Sequence, residues 1–222
     1  MVRALLDGTK TQTRRVVKHI VTPIDELRDE DEDGPTEYFV DSSGQFRTPA
    51  RYGSFAVPCP YGQPGDRLWV RETWRGIVSI NPPNEPPEWA VARYVPDAEY
   101  CHRVEFQATQ RVDKEPYRPS IHMPRWASRL LLEITAVRCE RLQDISEPDA
   151  LAEGVNVVNI GKSKGVEYEN YLDDDCFEYF AKDSYATLWE KINGLGSFAA
   201  NPWVWVVDFK VFDGKEAASA AE

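Results

Sequence analysis

The sequence lacks the features that mark several protein classes. It has no run of the roughly 18 apolar residues that a membrane-spanning helix needs, and the segment after Met1 is too charged for a signal peptide. Its four cysteines are far apart, without the close pairs of zinc ribbons and redox motifs. It contains no glycine-rich phosphate loop and no serine-elbow motif. We therefore expect a cytoplasmic protein with reduced cysteines, no metal, no cofactor, no membrane association and no obligate protein partner.

The acidic charge is concentrated in two segments. The chain has 222 residues and a formal net charge of −11, which argues against a nucleic-acid partner if the charge is evenly spread. The segments 25–33 and 167–183 hold 14 of the 37 acidic residues and only one basic residue each, whereas lysines and arginines gather in 1–18 and 103–129. We predict that both acidic segments are loops away from any ligand pocket. A local basic face is then compatible with the composition.

The pattern of apolar residues predicts an α+β protein. Five or six strands are interrupted by two or three short helices, without the regular strand–helix alternation of a doubly wound sheet. This order favours a small mixed β-barrel with short flanking helices. We predict one domain over residues 1–213 and a flexible tail at 214–222. Long insertions interrupt the domain at about 22–62, 75–118 and 155–180. The predicted strands are 11–17, 68–74, 89–95, 101–109, 130–137 and 203–209, and helices are expected near residues 2–6, after Ser146 and around Tyr185.

A polar motif follows the first predicted helix: Gly8-Thr9-Lys10-Thr11-Gln12-Thr13-Arg14-Arg15. Because side chains alternate along a strand, Thr11 and Thr13 share one face. An offset of three residues puts Lys10 and Thr13 on opposite faces of a regular strand. They can meet only if Lys10 occupies the corner between helix and strand. By itself, the motif also fits an edge strand with solvated basic side chains.

The predicted strand 68–74 carries a second group of candidate residues. Trp69 and Arg71 share a face and could together stack on and hydrogen-bond a nucleobase. Arg71 and Glu72 point to opposite faces, so at most one of them faces a pocket. The alternative is that Trp69 belongs to the core and that Arg71 forms a surface pair with Glu72.

Read together in order, these motifs resemble the ASCH family, whose members share the PUA-like barrel fold. The residues that carry the resemblance are the 8–15 motif, Pro64-Gly65-Asp66-x-Leu68-Trp69-Val70-Arg71-Glu72, the helix from Leu142 to Gly154, and the strand 203–209. The resemblance covers most of the chain outside the insertions. It is closest to the larger phage and prophage members, which have motifs like the segment 118–128.

The resemblance implies a function in nucleoside or RNA recognition. Some small bacterial members resemble amidohydrolases that remove the acetyl group from N4-acetylcytidine. Their catalytic residues correspond to Lys10, Thr13 and Glu153, and the surrounding polar residues imply substrate contacts from Thr11, Arg14, Trp69, Arg71 and Glu72. A desolvated lysine can lose its proton near neutral pH, and a carboxyl group can manage proton transfer. We predict that Lys10, Thr13, Trp69 and Glu153 converge on one cavity.

Two other functions remain open at this stage. A non-catalytic RNA-binding module would be favoured by a basic face that continues along Arg14, Arg15, Arg125 and Arg129. A ribonuclease would be favoured by metal-dependent phosphodiester cleavage, although His122 has no patterned metal-ligand partners. In each case the partner is a modified nucleoside or single-stranded RNA.

Overall fold

The computed structural model describes residues 2–18, 39–40, 44–47, 56–82, 84–110, 114–158 and 165–212. The described chain is α+β and consists mainly of strands. Its elements are α1 (Val2–Leu6), β1 (Gln12–Val16), β2 (Phe39–Val40), β3 (Phe46–Arg47), β4 (Arg67–Trp69), β5 (Trp74–Ser79), β6 (Trp89–Val91), β7 (Arg103–Phe106), β8 (Leu131–Arg141), α2 (Glu147–Ala152), β9 (Val157–Val158), β10 (Glu167–Glu169), β11 (Phe177–Glu178), α3 (Ala181–Asn193) and β12 (Trp203–Val211).

The contacts divide the chain into two compact units. The first unit comprises Met1–Asp7, Arg67–Glu133 and Val211–Glu222, and the second comprises Gly8–Asp66 and Ile134–Lys210. Nothing here tests the prediction of one domain over 1–213, and the predicted tail at 214–222 lies outside the described residues.

The sheet of the second unit has a helix-covered face and an aromatic face. β1 pairs antiparallel with β12, and β8 lies on the other side of β12. Residues directly opposite each other in such a pair share a face, so Arg14 lies on the same face as its partner Val206. Val206 packs on that face against Tyr185 of α3. The opposite face carries Trp205, which packs against Phe46 with a ring-centroid distance of 5.5 Å.

Helix α2 begins and ends as its sequence predicts. The Ser146 hydroxyl accepts a hydrogen bond from the Asp149 backbone N–H at 3.2 Å, and Pro148 lies in the first turn. The chain leaves the helix through Gly154, whose φ of 81° is costly for residues with a side chain. This exit places Glu153 at the end of the helix, where it is buried.

The predicted strand 68–74 is wrong, because the structure contains two strands there. β4 pairs with β8, whereas β5 pairs with β6 and β7 in a separate sheet. Residues 70–73 lie between the two strands, and the Glu72 carboxylate is buried there against Arg129. High β-propensity throughout this segment concealed the break, because propensity does not specify which neighbours a strand pairs with.

The insertion at 75–118 contains the sheet β6–β5–β7, close to the strands predicted at 89–95 and 101–109. One face of β5 packs Trp74 against Phe106 and Met123. On that face, a Cβ added at Gly76 would lie only 2.7 Å from the Pro96 ring. The opposite face carries Arg75 and its neighbours and is considered below.

The acidic segments do not both fit the prediction of loops. The segment 25–33 lies outside the described residues. The segment 167–183 contains β10, β11 and the beginning of α3, so the loop prediction is wrong there. β10 pairs with both β9 and β11, and Tyr168 packs against the core formed with α3. Ordered pairing and apolar side chains between the acids override the charge repulsion that suggested a loop.

Within the described part of the chain, no helix is long and apolar enough to cross a membrane. The four cysteines carry free thiols.

Candidate functional site

Lys10 and Glu153 form a buried ion pair in the second unit. Lys10 lies in the corner between α1 and β1 and is only 4% exposed, and Glu153 is 6% exposed. The Lys10 Nζ donates to Glu153 Oε2 at 2.7 Å, to the Glu153 backbone carbonyl at 2.8 Å and to the Gln12 carbonyl at 2.8 Å. Two residues 143 positions apart in sequence are thus in direct contact. The structure brings this predicted pair together.

Backbone hydrogen bonds hold the polar motif against helix α2. The Thr11 N–H donates to the Ala152 carbonyl at 2.8 Å, and the Thr11 carbonyl accepts from the Phe209 N–H at 2.8 Å. The Thr11 side chain is exposed. Thr11 therefore positions Lys10 beside Glu153 through its backbone, and substrate contact through its side chain stays a prediction.

Arg14 is the second buried cation of this site and is 2% exposed. Its Nη1 donates to Glu153 Oε1 at 3.3 Å, and its Nη2 donates to Glu140 at 2.6 Å. Its Nε is buried and has no acceptor among the described residues. Glu153 thus joins two cations, one through each carboxylate oxygen. Because Arg14 is largely enclosed, direct substrate binding by it stays a prediction.

Gln12 extends this pair into a larger polar network. Its side-chain oxygen accepts from Arg14, and its amide nitrogen donates to Asp149 and Asp208. Arg138 then pairs with Asp208 at 2.8 Å and with Asp149 at 3.1 Å. We call these residues the Lys10 network; its members are Lys10, Gln12, Arg14, Arg138, Glu140, Asp149, Glu153 and Asp208. It contains three cations and four carboxylates.

Sequence analysis missed most members of the Lys10 network. Gln12 lies between the predicted residues Lys10 and Arg14, and these three alternate positions are all buried on the side of the network. Period-two alternation was the available signal for Gln12. Nothing in the local sequence marks Asp208, because its contact with Gln12 spans 196 residues.

The electrostatics of the network favour a lysine that can lose its proton. Burial lowers the pKa of Lys10 from its ordinary value, against the opposing attraction of Glu153. Burial of Asp149 favours its neutral form, but hydrogen bonds from Gln12 and Ser146 and the charge of Arg138 hold its pKa below its usual range. The charged form of Asp149 is therefore stabilised, whereas burial disfavours the charged form of Lys10.

Tyr185 completes the helix side of the site. The Arg14 guanidinium lies 5.9 Å from its ring centroid, within the range of a cation–π contact. Burial and the charge of Glu153 raise the pKa of its hydroxyl. Tyr185 is therefore a neutral phenol that lies against the Lys10 network. Its position in the apolar stripe of α3 predicted a core residue and did not indicate this contact.

Thr13 lies on the other face of the β1–β12 sheet. Its register partner is Val207, whereas Arg14 on the network side pairs with Val206. The Thr13 side chain is half-buried, and within the described residues its hydroxyl makes no hydrogen bond. The structure connects Thr13 to Lys10 only through the backbone. The Lys10 Nζ donates to the Gln12 carbonyl, which belongs to the peptide bond between Gln12 and Thr13. A catalytic role for Thr13 stays a prediction.

Trp69, Arg71 and Glu72 belong to the first unit, so their convergence with Lys10 stays a prediction. The Arg71 guanidinium lies 4.7 Å from the Trp69 ring centroid, although Arg71 lies outside β4 and the two residues share no strand face. Glu72 is buried and forms a two-point ion pair with Arg129 at 2.7 and 2.9 Å. The alternative pairing of Arg71 with Glu72 is therefore wrong, because Arg129 occupies both carboxylate oxygens.

The described residues contain no group of three or more histidine, cysteine or acidic side chains arranged to hold a metal ion. No family model matches the chain, and neither the curated proteins nor the solved structures contain a similar one. The resemblance to the ASCH family therefore stays a prediction from the motifs.

Proposed function

We propose that the protein is an ASCH-type, PUA-like barrel protein of the cytoplasm that hydrolyses N4-acylated cytidine without a metal ion. The observation that carries the proposal is the buried contact of Lys10 with Glu153 at 2.7 Å. A lysine at its ordinary pKa is neutral in only about one molecule in three thousand at pH 7. Burial lowers the pKa of Lys10 and enlarges that fraction, which is what a general base requires.

The reaction consumes one water molecule and releases a carboxylic acid and cytidine. In the first step, the Thr13 hydroxyl attacks the acyl carbon, and the bond from carbon to N4 breaks. Because Thr13 and Lys10 lie on opposite faces of the edge strand β1, a water molecule at this edge carries the threonine proton to Lys10. Lys10 and Glu153 return a proton to the departing amine. Water then attacks the acyl-threonine ester, releases the acid and restores the hydroxyl. The short Lys10–Glu153 contact supports the proton transfer. The Thr13 hydroxyl has no hydrogen-bond partner among the described residues, which supports its role in the attack.

Substrate contacts are assigned to residues with unused binding capacity. Arg14, whose buried Nε has no acceptor among the described residues, is assigned a substrate contact on the network side of β1. The Arg71–Trp69 pair presents a cation beside an aromatic ring, a combination suited to a nucleobase. Thr11 and Glu72 are included as substrate contacts on the resemblance to the ASCH family alone.

A non-catalytic RNA-binding module is the second candidate. All three protons of a charged Lys10 have acceptors, and both oxygens of Glu153 are paired. A saturated, enclosed network of this kind also supports a rigid binding scaffold, because nothing in it needs to change protonation. Turnover decides between the two candidates.

Incubation of the purified protein with N4-acetylcytidine and a metal chelator should yield cytidine and acetate, measured by mass spectrometry. Thr13→Ala should abolish turnover, and Thr13→Ser should retain part of it. Full activity of Thr13→Ala would show that water, and not the threonine hydroxyl, attacks the acyl carbon. Binding without turnover across a panel of acylated cytidines would replace the hydrolase with the binding module. Phosphodiester cleavage that requires a divalent metal would instead identify a ribonuclease.

The rate of hydrolysis should fall at low pH, because a base must be neutral and Lys10 becomes protonated there. Because the pKa of Lys10 is lowered, the rate should fall at a pH below 10.5, the ordinary pKa of lysine. The positive charge of Arg15 also lowers this pKa, so Arg15→Gln should raise it and move the acidic limb of the profile to higher pH. Initial rates between pH 5 and pH 10 would measure this shift. An unmoved limb would show that another group controls the profile.

A further inference from the structure

One face of the sheet β6–β5–β7 opens onto two adjoining cavities. The larger has a volume of about 890 Å³ and the smaller about 510 Å³. Both are lined by the four residues Val91, Ala92, Arg93 and Glu115. Small-molecule pockets usually occupy 300–1,000 Å³, so the two cavities together suit an extended ligand. We call this pair of cavities the groove; all of its lining residues belong to the first unit.

The floor of the groove carries a net positive charge. Arg75 donates through Nε and Nη2 to Glu105 Oε2 at 2.8 and 2.6 Å. Arg103 donates through Nε and Nη2 to Glu105 Oε1, both at 2.8 Å. Two arginines thus share one carboxylate. Glu105 is buried, and the weak screening there strengthens the attraction of this cluster for an anion.

Two further arginines line the groove and have N–H donors without an acceptor among the described residues. Arg93 is exposed at the junction of the cavities and forms no ion pair within the described residues. Arg118 donates its Nη2 to the Ala92 carbonyl at 3.0 Å, while its Nε has no acceptor there. With Glu115 as the remaining acid, the lining has four arginines against two glutamates. This is a cationic surface on a protein whose net charge is −11.

The walls of the larger cavity supply aromatic rings beside these charges. Trp89 is 44% exposed and stacks on His102, with ring centroids 3.8 Å apart and planes inclined by 16°. The stacking fixes the plane of the indole before any ligand arrives. Tyr94, on the same cavity wall, is 61% exposed. Exposed rings alternating with arginines are the composition that binds bases and phosphates along a flexible strand.

We propose that the groove binds a single strand of nucleic acid, with bases stacked on Trp89 and Tyr94 and phosphates held by Arg93, Arg103 and Arg118. The combined volume of the two adjoining cavities favours successive nucleotides over a single one. The proposal goes beyond the hydrolysis of acylated cytidine, because it assigns a separate surface. An acidic peptide would use the arginines but gain nothing from a stacking ring, so the aromatic residues decide between these partners.

The test is the binding of fluorescently labelled, unmodified ten-residue oligouridylate and oligothymidylate to the full chain, followed by fluorescence anisotropy. With two or three phosphates contacted, the logarithm of the association constant should fall with log salt at a slope of about −1.4 to −2. Trp89→Ala should weaken binding about 5- to 150-fold. Arg93→Glu should weaken binding and flatten the slope by about 0.7. The ratio of the two affinities gives the combined effect of the 2′-hydroxyl and the base methyl group.

Matched controls lie outside the groove. Tyr179→Ala removes an exposed ring, and Lys191→Glu changes the net charge as Arg93→Glu does. Both should bind as the unmodified protein does, with circular dichroism confirming the fold of every variant. The proposal would be overturned if Trp89→Ala and the unmodified protein bound the oligonucleotides with equal affinity. It would also be overturned if decaglutamate displaced the oligonucleotides equally well from both proteins.

The outcome is separable from that of the proposed hydrolysis. The oligonucleotide probes contain no acylated cytidine, so they report on the groove alone. Binding that depends on Trp89 without any hydrolysis of N4-acetylcytidine would leave the groove assigned and reject the hydrolase. Hydrolysis without oligonucleotide binding would do the reverse.

Discussion

Lys10→Ala should lower the hydrolysis of N4-acetylcytidine by about 100- to 10,000-fold, the usual contribution of a general base. The same substitution should reduce the free energy of unfolding by about 3–5 kcal/mol, because it leaves the buried Glu153 carboxylate without its lysine. Kinetic assays and urea denaturation measure the two effects separately.

The double variant Lys10→Met/Glu153→Met is the control for this prediction. Replacing both members of a buried ion pair with apolar side chains often costs little stability, since no unpaired charge remains. The double variant should therefore be more stable than Lys10→Ala yet remain inactive. A stable and fully active double variant would reject the role of this pair in proton transfer, and a scaffold role would take its place.

Arg14→Met should destabilise the protein by about 3–5 kcal/mol, whereas Arg15→Met should change the free energy of unfolding by less than about 0.5 kcal/mol. Arg14 is buried between Glu153 and Glu140, and its loss leaves both carboxylates short of a cation. Arg15 is the next residue along β1 and is exposed. Denaturant midpoints of the two variants give the comparison directly.

This pair of variants also tests the strand alternation of the motif. Each substitution removes one positive charge, so the net charge of the protein changes equally. Equal destabilisation by both would show that Arg14 is not the cation that holds Glu153 in place. Glu140→Gln should then be nearly neutral as well, although the structure gives it a 2.6 Å contact with Arg14.

The sequence by itself determined the local elements and one long-range pair. The cap at Ser146, the exit at Gly154 and the apolar stripe around Tyr185 predicted α2 and α3, because capping and helical periodicity act over a few neighbouring residues. The pairing of Lys10 with Glu153 came from the resemblance of whole motifs rather than from spacing.

Only the tertiary structure decided which residues surround that pair. Gln12 joins Asp149 and Asp208 across 137 and 196 residues, and no local pattern contains that information. The break between β4 and β5 could not be predicted from local sequence either. Both strands have high β-propensity, and only their different pairing partners separate them. Propensity and periodicity are properties of neighbouring residues. Strand partners and buried polar networks instead follow from which distant segments satisfy each other's hydrogen bonds when the chain is compact.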